Sequence, residues 1–403
     1  MRPLEDVKIL DFTHVLAGPF GTRVLADMGA DVVKIMSAVR ETARTQQDSP
    51  YYLMWNRNKR SLALDMRREE SRELARRLAD EADVVMDNFS PGVLDRWNVG
   101  YEIVSETNPG VIYVQMSGMG ATGPWSDFVT YAPTVHGLGG LTHLTGVPGR
   151  GDIGIGYSYN DHQAGLHGAV AVLAALEGRR STGRGQRVDL SQFEVGVNFA
   201  GLALLDWFGN GRSASPVTNR EPYDNNAPHG CYPCAGAASD ALVDERWVAI
   251  ACMSDDQWRR FRDVLGDPEW ARDPALATVQ GRSEAADMLD QRIAEWTRRL
   301  TAEVVMERCQ AAGVPAGVVQ TGLDLCERDP QLKLSGFLAE IEEAHPITGR
   351  TYADRLPIYF ERTSCDEYRP APVVGQHNAE VLSEWLGMSE EEVRRGEEAG
   401  YLR

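Results

Sequence analysis

Lysine is scarce in this chain of 403 residues, and basic charge as a whole is in deficit. Only four of the 41 lysine and arginine residues are lysines, namely Lys8, Lys34, Lys59 and Lys333. Acidic residues number 59, so the formal net charge is −18. Nucleic acids and acidic membrane surfaces attract proteins through a basic field. The composition therefore predicts that neither a nucleic acid nor a membrane is a partner.

Long apolar runs are also missing. The longest, at 164–176 and 195–205, are shorter than the roughly 20 residues that span a bilayer. The first residues, MRPLEDVKIL, do not have the pattern of a signal peptide. Six cysteines in the whole chain are too few for a disulfide scaffold. We therefore expect a cytoplasmic protein with reduced thiols.

The N-terminal segment shows an alternation of strands and helices. The pattern predicts a strand over Val7–Phe12, a helix over Phe20–Met28 and a second strand over Asp31–Ile35. The same alternation continues to about residue 120. This is an α/β pattern, which predicts a parallel sheet with a ligand crevice at the carboxyl ends of its strands.

The rest of the chain divides less regularly. A glycine-rich stretch from 137 to 156 predicts a loop, and a long helix follows over His162–Glu177. A second apolar helix is predicted over Phe193–Phe208. Residues 209–233 have the composition of a linker, and the strand and helices after them predict a smaller mixed domain.

The sequence Gly118-Met-Gly-Ala-Thr-Gly123 matches the dinucleotide-binding pattern G-x-G-x-x-G after a predicted strand. That function needs a helix to begin at the glycines, so that its N-terminus faces the pyrophosphate. Pro124-Trp-Ser126 follows instead. A structural turn is the favoured interpretation.

Cys231-Tyr-Pro-Cys234 is a C-x-x-C motif. A redox pair places its first cysteine at a helix N-terminus, and a zinc site needs a second pair of ligands at a suitable spacing. The motif lies in the predicted linker and has neither context. We interpret it as a coincidence and predict no metal site.

A basic segment stands out against the acidic background. Residues 57–77 contain eight basic and four acidic side chains, a net charge of +4. From Arg68 onward, a solvated helix face explains the pattern. Arg57-Asn58-Lys59-Arg60 differs because it precedes a strand beside the predicted crevice, where a phosphate-bearing ligand is as plausible as a structural role.

Asp161 directly precedes the long predicted helix. An aspartate at this place usually caps the helix by accepting hydrogen bonds from its free N–H groups. The alternative is a carboxylate nucleophile that the helix dipole keeps ionised. The residues alone favour the capping role.

Taken together, these segments resemble the family III CoA-transferases, which include formyl-CoA transferase and carnitine CoA-transferase. The resemblance extends over nearly the whole chain. It depends on these ordered segments: Asp11–Pro19, Gly29–Ile35, Asn58–Ser61, Asp87–Arg96, Ser117–Pro124, Asp161–Gly165, Thr182–Gln186, Gly313–Gly317 and Gly375–His377.

The resemblance implies a fold and an assembly. The fold is α/β, with a large Rossmann-like domain that has a parallel sheet and is formed by residues 1–210 and 331–403. Residues 211–330 then form the linker and the smaller mixed domain. Two copies of the chain are expected to form an interlocked homodimer.

The resemblance also implies a site, with Asp161 as the covalent nucleophile. Nine positions match CoA contacts: Val15, Leu16 and Ala17 at the nucleotide end, Asn58, Lys59 and Arg96 elsewhere on CoA, and Asn88, Phe89 and Tyr131 near the pantetheine and the thioester. No cofactor is expected beyond the CoA of the substrates, which are an acyl-CoA and a small carboxylic acid. Succinyl-CoA as donor and an aromatic or substituted dicarboxylic acid as acceptor are the preferred substrates.

The chain departs from the family pattern in two places. Met36-Ser37 replaces an acidic residue and a proline near Arg40, the glycine loop of formyl-CoA transferase is absent, and Asn225–Gly230 takes its place. The loop argues against formyl-CoA and oxalate as substrates.

Three other functions remain open. The 2-methylacyl-CoA racemases share the fold and pair a histidine with the aspartate; Tyr131 occupies the position of that histidine, with His136 nearby. Tyrosine is a poor base near neutral pH, so a transferase is favoured. A non-catalytic subunit of a heteromeric transferase is the second alternative. A dehydrogenase, supported only by the glycine motif, is the third.

Overall fold

A computed structural model describes residues 2–38, 46–220, 226–236 and 246–403. Arg40 and Asn225 lie outside the described residues. The strands, in chain order, are β1 (Lys8–Asp11), β2 (Asp31–Met36), β3 (Arg60–Ala63), β4 (Val84–Asp87), β5 (Ile112–Gln115), β6 (Gln186–Asp189), β7 (His229–Pro233), β8 (Trp247–Ala251), β9 (Ala316–Val318), β10 (Leu338–His345) and β11 (Gly349–Asp354).

The α-helices, in chain order, are α1 (Ala17–Asp27), α2 (Pro50–Asn56), α3 (Glu69–Glu81), α4 (Val93–Arg96), α5 (Tyr101–Thr107), α6 (Ala132–Leu138), α7 (Leu141–Leu144), α8 (Tyr159–Thr182), α9 (Gln192–Phe199), α10 (Gly201–Asn210), α11 (Asp255–Val264), α12 (Val279–Glu284), α13 (Ala286–Thr297), α14 (Ala302–Ala311), α15 (Gly322–Glu327), α16 (Pro330–Ser335), α17 (Asn378–Leu386) and α18 (Glu390–Ala399).

Among the described residues, six strands form one parallel sheet in the order β3-β2-β1-β4-β5-β6. This is the strand order of the Rossmann fold, and it confirms the predicted α/β class. Leu10 of β1 pairs with Val33 of β2 on one side and Val85 of β4 on the other. The chain order reverses at β1, so the carboxyl ends of β1 and β4 flank the crevice where such sheets bind ligands.

Apolar residues alternate between the two faces of this sheet because successive side chains of a strand point in opposite directions. Ile9 and Val84 belong to the core on the side of α1 and α8. Leu10 and Val85 belong to the core on the side of α3 and α17. The sheet is thus covered on both faces, as a parallel sheet requires.

Helices α1 and α8 pack closely through two glycines. A Cβ atom on Gly165 would lie 2.6 Å from the carbonyl oxygen of Ala17, and one on Gly21 would lie 2.7 Å from that of Gly165. No larger residue fits at either position without moving backbone. This contact fixes the N-terminal part of α8 against α1.

The chain forms two compact units. The first contains the large sheet and comprises residues up to 144, 154–214 and 331–403; the second comprises 145–153 and 215–330. The second unit has an antiparallel sheet of β7, β8 and β9 and a core that includes Trp258 and Phe261. The sequence-based ranges place the corresponding boundaries at residues 210 and 330.

Several predicted elements differ in extent from the observed ones. The long helix begins at Tyr159 instead of His162, and the helix predicted over 193–208 is divided into α9 and α10 at Ala200. The glycine-rich stretch contains the end of α6 and all of α7. Local composition does not predict these helices, because packing between segments distant in sequence stabilises them.

The C-x-x-C motif lies at strand β7. Cys231 is within the strand, Cys234 follows it, and burial raises the pKa of the Cys231 thiol and raises that of Cys234 to about 11. A thiol with a raised pKa is a weak nucleophile. The geometry therefore supports a structural role for both cysteines.

None of the described helices combines the length and apolar character that crossing a bilayer requires.

Candidate active site

Asp161 lies in the first turn of α8, two residues after the first helical residue, Tyr159. The N-cap position belongs to Ser158, so the interpretation of Asp161 as the N-cap is wrong. A carboxylate in the first turn interacts favourably with the positive end of the helix dipole. The Asp161 carboxylate therefore lies at the positive end of the dipole of α8.

Asp161 lines a cavity of about 250 Å³, which we call the Asp161 pocket. Its walls come from the segments that follow β1, β4, β5 and β6, together with the first turns of α6 and α8. The lining residues are His14, Val15, Leu16, Asn88, Phe89, Ser90, Pro91, Ser117, Gly118, Ser126, Phe128, Val129, Thr130, Tyr131, Ala132, Val135, Asp161 and Gln192.

A second cavity, of about 380 Å³, lies beside the carboxyl end of β2, and we call it the β2 pocket. It has an apolar wall that includes Ile35, Met36 and Leu64, and its lining also includes Lys34 and the ion pair of Arg67 with Asp65. A cavity with an apolar wall and cationic groups suits a ligand that carries both a flat ring and phosphates.

The two pockets adjoin at His14, Val15 and Phe89, which line both of them. The rings of His14 and Phe89 lie 5.2 Å apart between centroids. An elongated ligand can therefore extend from the β2 pocket to Asp161 past these three side chains. This juxtaposition is the main geometric feature of the site.

The backbone at the junction is constrained. Val15 has a φ of 67°, which is an outlier for a β-branched residue. The backbone N–H of its neighbour His14 donates to Asn88 Oδ1 at 2.7 Å, and the backbone carbonyl oxygen of His14 accepts from Asn88 Nδ2 at 2.8 Å. Strained residues persist where their surroundings hold them, and they concentrate at functional sites.

A buried ion cluster stabilises the loop that follows β1. Lys59 Nζ donates to Asp11 Oδ2 at 3.1 Å, and both side chains are fully buried. Asp11 also accepts from the backbone N–H of Thr13 at 2.8 Å, and Lys34 Nζ donates to Thr13 O at 2.6 Å. Burial raises the pKa of Asp11, but Lys34, Lys59 and the hydrogen bonds from Thr13 and Thr22 together outweigh it, and the net pKa is well below its usual range. Burial lowers the pKa of Lys59 to about 7.

Six of the ten sequence-predicted site residues line the Asp161 pocket: Val15, Leu16, Asn88, Phe89, Tyr131 and Asp161. The other four line neither described pocket: Ala17, Asn58, Lys59 and Arg96. The roles of all ten in binding and catalysis stay predictions.

The residues outside the pockets have identifiable contacts. Ala17 packs against α8 at Gly165, and Asn58 donates to Asp27 Oδ1 at 2.8 Å. Lys59 is enclosed with Asp11, and Arg96 is the last residue of α4. For Lys59, the position in the fold indicates support of the loop instead of an exposed phosphate contact.

Sequence reasoning did not assign Lys34, Arg67 or Gln192 to a site. Lys34 is one of four lysines and lies on β2, and Gln192 follows β6 after two residues. Both therefore belong to the carboxyl edge of the sheet, where ligands bind. The rarity of lysine in this chain, together with the position of Lys34 on β2, would have identified it as a residue near the candidate site.

The G-x-G-x-x-G segment forms a turn at the carboxyl end of β5. Gly118 lines the Asp161 pocket, and the next described helix, α6, begins only at Ala132. Asp189 of β6 accepts the N–H of Ala121 at 3.0 Å. The segment therefore shapes the pocket wall and does not present a helix N-terminus to a pyrophosphate.

Asp87, the last residue of β4, is a buried acid beneath the pocket wall. Its Oδ1 accepts the backbone N–H of Phe89 at 3.0 Å. Burial raises the pKa of Asp87 to about 7, and Asp95 adds to the rise.

Within the described residues, no group of three or more His, Cys, Asp or Glu side chains is arranged to hold a metal ion.

The sequence model of CoA-transferase family III matches residues 4–378. The chain belongs to CoA-transferase family III. Membership confirms the resemblance seen in the motifs and makes the chain an enzyme with CoA-transferase activity.

This chain is similar to two enzymes over nearly their full lengths. It is 32% identical to the succinyl-CoA–D-citramalate CoA-transferase of Chloroflexus aurantiacus, over 97% of this chain and 96% of that one. It is 30% identical to the formyl-CoA:oxalate CoA-transferase of Streptomyces avermitilis, over 98% of each chain. Its fold is similar to that of a CaiB/BaiF family protein from Brucella suis, with a TM-score of 0.83, 31% identity and coverage of 95% and 99%.

Proposed function

We propose that the enzyme transfers CoA from succinyl-CoA to a substituted or aromatic dicarboxylic acid through a covalent aspartyl-CoA thioester on Asp161. The observation that carries this proposal is the continuity of the two pockets. Asp161 lies at the end of a path that begins in the cation-bearing β2 pocket and passes His14, Val15 and Phe89.

The reaction follows from the chemistry of a carboxylate. Asp161 attacks the thioester carbonyl of the acyl-CoA, which forms a mixed anhydride and releases CoA thiolate. The thiolate then attacks the aspartyl carbonyl, which leaves an aspartyl-CoA thioester and releases the donor acid. An incoming carboxylate reverses the two steps and departs as its CoA thioester. One thioester is exchanged for another, so the proposal needs no cofactor beyond CoA and no metal.

CoA is proposed to bind with its nucleotide in the β2 pocket. The exposed Arg67 is a cationic group for its phosphates, and Ile35 and Met36 offer an apolar surface for the adenine ring. The pantetheine arm then passes Val15 and Phe89 and brings the thioester to Asp161. Backbone N–H groups in the loops around the pocket are the proposed donors to the tetrahedral oxyanions.

The substrates are supported less directly. The relative from Chloroflexus aurantiacus is named for succinyl-CoA and D-citramalate, a substituted dicarboxylic acid. Trp125 stacks on Phe128, which lines the Asp161 pocket, at a centroid distance of 5.6 Å. This stack is a platform for an aromatic acceptor. Of the other aromatic residues nearby, Tyr157 packs against His162 and Tyr159 against Phe199.

We also propose that the enzyme is a homodimer. Helix α10 has no buried residue within the chain, although it carries Leu202, Leu205, Trp207 and Phe208, which are 56% to 81% exposed. An apolar face of this kind on one helix is typical of a surface that a partner covers. Light scattering after size-exclusion chromatography, with Leu205→Glu as the variant, tests the assembly.

The central experiment is to incubate the protein alone with succinyl-CoA, without an acceptor, and to analyse its peptides by mass spectrometry. We expect CoA attached as a thioester to the peptide that contains Asp161, and we expect hydroxylamine to remove it. Asp161→Asn should give no adduct. Asp263→Asn, which changes an exposed carboxylate on α11, is the matched control and should be labelled like the wild type.

The same experiment separates the alternatives. Exchange of an α-proton of a 2-methylacyl-CoA without an adduct would favour a racemase and contradict the transfer mechanism. Absence of both reactions in the protein alone, with activity restored by a second chain, would favour a non-catalytic subunit.

A further inference from the structure

The helix that carries Asp161 lacks a side-chain cap of its own. The N-cap residue of α8, Ser158, makes no capping hydrogen bond with its side chain. The first N–H groups of a helix have no partner within it, and a buried N–H without a partner is destabilising. One of these N–H groups belongs to Asn160, which is fully buried directly before Asp161.

His136 of α6 supplies the missing acceptor. Its Nε2 accepts the backbone N–H of Asn160 at 3.0 Å. The imidazole is only 5% exposed, and burial lowers the pKa of His136, which favours the neutral ring that can accept this hydrogen bond. A histidine on one helix thus performs, for another helix, the capping role that Ser, Thr, Asp or Asn usually performs locally.

The surroundings of Asn160 are tightly packed. Its side-chain Nδ2 donates to the carbonyl oxygen of Gln192, at the start of α9, at 2.7 Å. On the same helix, a Cβ atom on Gly196 would lie 2.9 Å from Asn160 Oδ1. The first turn of α8 is therefore held from two sides, by His136 of α6 and by α9.

The residues next to this network form part of the pocket. Val135 precedes His136, Asp161 follows Asn160, and both line the Asp161 pocket together with Gln192. His136 itself is not among the described lining residues. A shift in the first turn of α8 would therefore move the reacting carboxylate directly.

We propose that His136 is a positioning residue, which caps the first turn of α8 through Asn160 and so holds the Asp161 carboxylate in line with the thioester. This role assumes the proposed function, in which Asp161 is the nucleophile. Misplacing a nucleophile slows the chemical step more than it weakens substrate binding, because the ligand is held mainly by other groups.

The test compares three substitutions by the rate at which succinyl-CoA forms the aspartyl-CoA adduct in a single turnover. His136→Ala and His136→Leu remove the acceptor, and we expect the rate to fall roughly 10- to 100-fold. KM for succinyl-CoA should change by less than about threefold. His136→Gln can accept the N–H through Oε1, and it should restore the rate to within about threefold of the wild type. His143→Ala, which removes an exposed histidine on the neighbouring α7, is the matched control and should behave like the wild type.

Amide hydrogen exchange of the segment 157–163 provides a second, activity-independent readout. Exchange should be faster in His136→Leu than in the wild type, and close to the wild type in His136→Gln. A wild-type labelling rate in His136→Leu, or a rate in His136→Gln as low as in His136→Ala, would overturn the positioning role. If the wild type forms no adduct with succinyl-CoA, the proposed function and the positioning role both fail, whereas hydrogen exchange still decides whether His136 caps α8.

Discussion

The two adjoining pockets differ in charge. The lining of the β2 pocket includes Lys34 and Arg67, with Asp65 as the ion-pair partner of Arg67, beside an apolar wall. The described lining of the Asp161 pocket contains neither lysine nor arginine, and its polar groups are mainly neutral hydroxyls and amides, such as those of Ser117, Asn88 and Gln192.

This difference suits the two tasks that the proposed function assigns to the pockets. Binding a polyphosphate requires cations, because their attraction provides both affinity and orientation. A carboxylate that must act as a nucleophile is better served by a helix N-terminus than by an adjacent cation, which would form an ion pair with it. Separate pockets allow each charge requirement to be met without interfering with the other.

The largest expected effect separates the chemistry of one pocket from the binding in the other. Asp161→Asn should lower kcat for CoA transfer by about 10⁴-fold or more, because the amide cannot form the thioester. The affinity for free CoA, measured by titration calorimetry, should stay within about threefold of the wild type, because the proposed nucleotide site is the β2 pocket. A parallel loss of CoA affinity would contradict the division of tasks.

The next effect concerns the ion cluster that supports the junction between the pockets. Lys59→Met removes the direct ion-pair partner of the buried Asp11, and we expect the free energy of unfolding to fall by about 3–5 kcal/mol. Urea denaturation measures this change. Lys333→Met, at an exposed lysine on α16, is the matched control and should leave stability unchanged. Normal stability with weakened CoA binding in Lys59→Met would instead show that Lys59 contacts CoA.

A third prediction concerns pH and the wall of the Asp161 pocket. The folded-state pKa of Asp87 is raised to about 7, so the folded protein binds this proton more tightly than the unfolded chain does. Stability contributed by the protonated acid is therefore complete below about pH 4 and is lost as the pH rises through about 7. Asp87→Asn should be stabilised relative to the wild type by a few kcal/mol more at pH 8 than at pH 5.

Thermal or urea unfolding at the two pH values measures this difference. Equal differences in stability between Asp87→Asn and the wild type at pH 5 and pH 8 would show that Asp87 does not titrate in this range. The asparagine keeps a side-chain oxygen for the N–H of Phe89, so the pocket wall should retain its shape.

The smallest expected effect lies at the β2 pocket. Arg67 is largely exposed and paired with Asp65 at 2.8 Å, so Arg67→Ala should raise KM for succinyl-CoA by about two- to fivefold. The effect should decrease at high salt, because salt screens exposed charges. Arg77→Ala, at an exposed position on α3, is the control. A lower kcat in Arg67→Ala with no change in KM would contradict the assignment of phosphate binding to this pocket.

Much of the fold was predictable from the sequence because its signals are local. The apolar strand at Val7–Phe12 and the helix and strand after it follow from the spacing of apolar residues, and the structure contains β1, α1 and β2 there. Helix ends were less predictable. The long helix starts three residues before the predicted position, and this difference places Asp161 inside its first turn.

The candidate site was predictable in part. Asp161 and the residues around Val15 and Asn88 were identified through their motifs, and the structure brings them to one pocket. His136 and Lys34 were not assigned to the site. The hydrogen bond from Asn160 to His136 joins residues 24 positions apart, and no local pattern encodes it.

The sequence by itself determined the order of strands and helices, the α/β class and the family, because periodicity and ordered motifs are properties of neighbouring residues. Only the tertiary structure decided that Lys59 is enclosed with Asp11, that Val15 is held at a positive φ between two pockets, and that α8 is capped by a histidine of α6. The physical reason is that burial and capping depend on which distant segments pack together, and the same side chain can bind a ligand or support a loop depending on that packing.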